Sequence, residues 1–76
     1  PADANETISA WQAALNYRNG PTAIVLTRQG LPILPTPNTP VHETGAQIVV
    51  QHDTPDLVLV ATGSEVATCI SAARLL

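Results

Sequence analysis

Thr22-Ala23-Ile24-Val25-Leu26-Thr27-Arg28 is the stretch on which the reading of this sequence turns. Its centre, Ala23 to Leu26, is apolar without alternation. A strand with one wet face alternates apolar and polar residues, whereas a continuous run marks a strand covered on both faces, as in a parallel sheet flanked by helices. Just before it, residues 3–18 carry helix signals. Asp3 is a good N-cap, because its carboxylate accepts from free N–H groups of the first turn. Glu6, three residues on, completes a capping-box pattern with Asp in place of Ser or Thr. Ile8, Trp11 and Leu15 recur at spacings of three and four, which predicts one buried face. Gly20-Pro21 is a stop signal, with Gly20 placed to take the left-handed position and Pro21 unable to continue the helix. Helix, short turn and buried strand together form the second half of a βαβ unit.

On the other side of Arg28 the composition changes. Pro32, Pro35, Pro37 and Pro40 crowd residues 29–44. Each lacks an N–H and fixes φ, which argues against helix and central strand alike and predicts an extended, semi-rigid connector. Beyond it, residues 46–50 and 57–62 read as two short strands separated by a turn at 51–55, the second strand apolar on both faces. Gly63 then turns the chain into a helix, with Ser64 as expected N-cap and Glu65 in the first turn, where the helix dipole favours a negative charge. Val66, Cys69, Ile70 and Ala73 make its expected buried face. The predicted fold class is therefore α/β: the helix–strand end of one parallel-sheet domain (1–31), a proline-rich linker (32–45), and the strand–strand–helix start of a second α/β domain (46–76).

Composition narrows the function. Seventy-six residues form one small domain or parts of two, and a compact chain of this size buries only ~60% of its unfolded surface. One cysteine, Cys69, excludes an intramolecular disulfide, and His42 and His52 have no zinc-like spacing. Pro1 reads as the middle of a longer chain, and the helical residues Ala72 to Leu76 read as cut. The net charge is -3, with three arginines and no lysine, which argues against a phosphate-tracking nucleic-acid surface. No apolar run is long enough for a membrane span. A single free cysteine on a helical face fits a reducing cytoplasm.

Arg28 is the candidate site residue. It stands at the C-terminal end of a predicted buried strand, where ligands of parallel sheets bind. A guanidinium there presents a planar fork of donors to phosphate, although an arginine so placed also serves as a structural ion-pair partner. Gly63 and Ser64 open a helix after a strand, but one Gly-Ser falls far short of a phosphate-loop fingerprint. His42 and His52 read as surface residues, Cys69 and Trp11 as core, and Asp3 and Glu6 as capping residues.

Three strings add a resemblance. Pro1-Ala2-Asp3-Ala4-Asn5-Glu6-Thr7 with Ala10-Trp11, then Leu26-Thr27-Arg28-Gln29-Gly30-Leu31-Pro32, then Ala61-Thr62-Gly63-Ser64-Glu65-Val66, resemble in order and spacing the transketolase family at the junction of its pyrimidine-binding and C-terminal domains. The linker from Thr36 to Thr44 is richer in proline than is usual there. The resemblance implies a two-carbon ketol transfer from a ketose phosphate to an aldose phosphate, with thiamine diphosphate and Mg2+ (or Ca2+) held by residues outside these 76. It implies a homodimeric, cytoplasmic enzyme of the pentose phosphate pathway, and it makes Arg28 a contact to the sugar phosphate. No catalytic, cofactor or metal residue carries over, and the piece alone is expected to be inactive. Alternatives of similar architecture are dihydroxyacetone synthase and deoxyxylulose-phosphate synthase; a non-catalytic structural module is the alternative of another class.

Overall fold

Asp3 starts the first helix as its side chain dictates. In the structure, a computed structural model that describes residues 1–35 and 41–76 and all their side chains but those of Val41 and His42, the helices are α1 (Ala4–Asn16), α2 (Val41–Thr44) and α3 (Glu65–Leu75). Asp3 is extended, with φ -155 and ψ -174, and its Oδ1 accepts the Glu6 N–H at 2.9 Å. Glu6 reaches back, but its Oε2 accepts from the Ala2 N–H at 2.6 Å rather than from Asp3. The reciprocal cap is thus displaced by one residue. The Thr7 amide and hydroxyl both donate to the Asp3 carbonyl, at 3.0 and 2.9 Å. The helix stops at Asn16, short of the predicted 18, because Tyr17 turns extended (ψ 112) while its N–H closes the last turn on Ala13. Gly20 does not adopt the left-handed conformation expected of it; the glycines with positive φ are Gly45 and Gly63.

The predicted α/β class is not what forms. Among the described residues there is no strand and no sheet, and segments 22–28, 46–50 and 57–62 run as irregular chain. A strand exists only as half of a pair, since its N–H and C=O groups need a ladder partner. An apolar run advertises the need for cover without supplying the neighbour. Val25 is 82% exposed and Val60 is 89% exposed, so the residues read as doubly buried are among the most open. The expected buried face of α1 is likewise open, with Ile8, Trp11 and Leu15 all exposed. In α3 no residue is fully buried.

One helical turn, α2, falls inside the stretch read as unable to form helix. Proline disfavours helix at its own position and at the residue before it, not after it. Thr36 to Pro40 of that connector lie outside the described residues, as does the His42 side chain.

What core exists sits at the start of α1. Among the described residues, Ala2 and Leu34 are the buried apolar ones and Asp3, 3% exposed, is the buried polar one. The α2 turn packs on α1. A compact 7.9 kDa protein exposes roughly 4,400 Å², whereas this chain exposes 6293 Å². Its radius of gyration is 13.7 Å, against about 11 Å for a compact domain of this length. The chain is open, and most of its apolar surface is uncovered. Among the described residues no helix is long and apolar enough to cross a membrane.

Candidate functional site

Arg28 lies in the first bend after the apolar run 23–26. The Gln29 N–H donates to Thr27 Oγ1 at 3.2 Å, a short side-chain turn of the kind threonine makes with the backbone two residues on. This turn interrupts the extended path and leaves Arg28 at its apex, exposed. The local hydrogen bond runs through its neighbours, so the guanidinium is not engaged in holding the turn. A permanently charged, forked donor group on an open turn is suited to an incoming phosphate.

A groove of about 730 Å³ runs beside this turn. One wall is α1, through Ala10 and Ala13, whose small side chains let the chain pass close by. The floor is residues 22–27, and the far wall is Thr62, Gly63, Ser64 and Glu65 at the start of α3. Segments on either side of the connector therefore meet here. Gly63 makes that approach in the left-handed region, at φ 58, where a β-carbon is strained. A β-carbon there would stand 3.9 Å from the Pro1 carbonyl, an ordinary contact, so conformation rather than crowding favours glycine.

Ser64 occupies the cap position of α3 without capping it. Its backbone is already helical (φ -62, ψ -23), and its hydroxyl donates to Glu65 Oε1 at 3.0 Å. An N-cap side chain reaches the N2 or N3 amide from an extended backbone, which Ser64 lacks. The first turn closes instead through Glu65 N–H to Thr62 O and Val66 N–H to Gly63 O, both at 3.3 Å. Glu65 adds a negative charge to the groove wall, which disfavours an anion there, and Arg28 is not among the residues that line the groove.

The other candidates stay apart from this turn. Cys69 is free and half-buried on α3, and His52 is exposed in the turn after Val50. Among the described residues no three His, Cys, Asp or Glu stand where they could hold a metal ion. A divalent metal therefore finds no cluster of three such ligands in the described residues.

Sequence reasoning missed a second feature next to Arg28. The Leu34 N–H donates to Asp3 Oδ2 at 2.9 Å, tying the segment after the turn to the N-terminus of α1. Gln47 Nε2 donates to Glu6 Oε1 at 2.9 Å from beyond the connector. Burial obliges the Leu34 N–H to find an acceptor, but neither that burial nor the partner is written in the local sequence.

Known transketolases align with almost the whole chain. Transketolase of Staphylococcus aureus (strain MW2) is 46% identical over 78 residues covering 97% of the chain. Transketolase of Treponema pallidum (strain Nichols) is 44% identical over 99% of it, and that of Aquifex aeolicus (strain VF5) 42% identical over 100% of it. The chain belongs to the transketolase family. It spans 12% of the length of these curated relatives, so it corresponds to one segment of a transketolase. No protein-family model matches it, and no solved structure does.

Proposed function

We propose that this segment serves a transketolase that moves a two-carbon ketol unit from a ketose phosphate to an aldose phosphate, and that Arg28 holds the phosphate of the sugar. Residues 1–31 close the pyrimidine-binding domain, 32–45 link, and 46–76 open the C-terminal domain. The observation that carries this is the placement of Arg28, exposed at the apex of the Thr27–Gln29 turn, inside a chain aligned almost end to end with transketolases. A charged fork on an exposed turn binds a remote part of the substrate and orients the reacting carbon without touching it. Thiamine diphosphate and a divalent metal would be held by residues beyond these 76. The enzyme is cytoplasmic and homodimeric in this reading.

The test is ketol transfer by the full-length enzyme with Arg28→Ala. Loss of a charge-assisted pair to phosphate costs about 1.5–3 kcal/mol. That converts to roughly a 10- to 150-fold fall in kcat/KM for phosphorylated sugars, carried mainly by KM. An unchanged KM for the phosphorylated acceptor removes Arg28 from the phosphate site.

A further inference from the structure

We infer that Asp3 is a positioning residue for Arg28, acting through the Leu34 amide, and that Asp3 and Glu6 together clasp both ends of the connector. The inference rests on the reading of Arg28 given above and adds what holds that arginine in place.

Asp3 uses both carboxylate oxygens for different tasks. Oδ1 takes the Glu6 N–H and caps α1, while Oδ2 takes the Leu34 N–H, 31 residues away. Only one of these tasks is local helix chemistry. The second joins Asp3 to Leu34, which with Ala2 forms the buried core of the described chain. Between Arg28 and this anchor stand Gln29, Gly30, Leu31, Pro32 and Ile33. Pro32 fixes its own φ and restricts Leu31 before it, which narrows the path from the anchor back to the turn on the far side of Gly30. On its near side the turn is held by Thr27 Oγ1. The segment carrying Arg28 is thus held at Thr27–Gln29 on one side and at Leu34 on the other, and the distal hold is a carboxylate oxygen. Glu6 repeats the arrangement across the connector, accepting from Ala2 and from Gln47, 41 residues away.

The two tasks of Asp3 are separable. An asparagine at this position keeps an oxygen for the cap, as asparagine is as good an N-cap as aspartate, but it turns an amide donor towards the Leu34 N–H. Asp3→Asn in the full-length enzyme, assayed with an aldose phosphate and with the same aldose lacking its phosphate, reads the tether alone. The expected result is a kcat/KM for the phosphorylated acceptor lowered roughly 10-fold or more, since a misplacement near 1 Å costs up to about 100-fold. The unphosphorylated acceptor is unaffected, because it lacks the group that Arg28 holds. Asp3→Ser, which keeps a capping oxygen and offers Leu34 nothing, gives the same pattern and serves if the asparagine variant does not accumulate. Because Asp3 acts through Arg28, the Asp3→Asn, Arg28→Ala double variant loses no more phosphate discrimination than Arg28→Ala alone. Equal losses for both acceptors, or additive losses in the double variant, reduce Asp3 to a structural cap and overturn the inference. Wild-type kinetics in Asp3→Asn beside a phosphate-specific loss in Arg28→Ala overturns the clasp and leaves the reading of Arg28 standing. Arg28→Ala without a phosphate-specific loss removes that reading, and the inference with it.

Discussion

Replacing Asp3 by alanine strips two partners from one side chain, and the two losses differ in size. The Glu6 N–H loses its cap, a change that costs about 0.5–2 kcal/mol in other helices. The Leu34 N–H loses its acceptor in a place where Leu34 is only 7% exposed, and an unsatisfied buried donor costs about 1–3 kcal/mol. Alanine therefore weakens this corner by roughly 1.5–5 kcal/mol, taking the two terms as additive. Asparagine restores the first term and leaves the second. Hydrogen exchange of the full-length protein separates them, because local opening reports each amide by its own free energy. In Asp3→Asn the Leu34 amide is expected to exchange roughly 5- to 150-fold faster, at about 1.4 kcal/mol per tenfold, while the amides of the first turn of α1 keep their rates. In Asp3→Ala both regions accelerate. If asparagine and alanine accelerate Leu34 and the α1 turn alike, the two oxygens of Asp3 do not have separate roles and the reasoning fails.

Gly63→Ala places a β-carbon at φ 58 and is expected to cost about 1–2 kcal/mol, with Gly63→Asn costing less; denaturant midpoints of the three proteins check the order. Ser64→Ala is expected to shift stability by under about 0.5 kcal/mol, since the Ser64 hydroxyl caps nothing; a loss near 1 kcal/mol in the same titration restores Ser64 as a working cap. The isolated 76-residue chain, with its apolar runs uncovered, is expected to show helical circular dichroism that fades gradually on heating and to aggregate as concentration rises. A sharp, concentration-independent melt contradicts this.

The legible part of the fold was the part written in short-range chemistry. Asp3 with Glu6 three residues later announced the start of α1, and its backbone partner confirms it. The helix after Gly63 was also visible, although Ser64 holds the cap position with the wrong backbone for capping. The strands at 22–28, 46–50 and 57–62 were not to be found, because an apolar run specifies a requirement for cover and a ladder requires a second segment at hydrogen-bonding distance. The face of Ile8, Trp11 and Leu15 fails for the same reason: 3.6-residue periodicity puts residues on one side of a helix but does not provide what lies opposite. Arg28 was singled out by its place at the end of the apolar run, and the structure puts it on an exposed turn there. The bonds from Asp3 to Leu34 and from Glu6 to Gln47 link residues 31 and 41 apart and leave no local pattern to read.

Those two long bonds also assist each other as the chain organises. Each closes a loop, and the entropic cost of closure rises only as the logarithm of loop length, so loops of 31 and 41 residues differ by a mere ~0.3 kcal/mol when formed independently. Once Leu34 is fastened to Asp3, however, Gln47 is only about 13 residues from a fixed point, and its search is shortened by about 1 kcal/mol. Whichever of the two bonds closes first lowers the cost of the other, because the total cost of both closures is the same in either order. A chain cut between the two would lose that help at the second bond while keeping the first, which makes the connector a determinant of how quickly the halves meet.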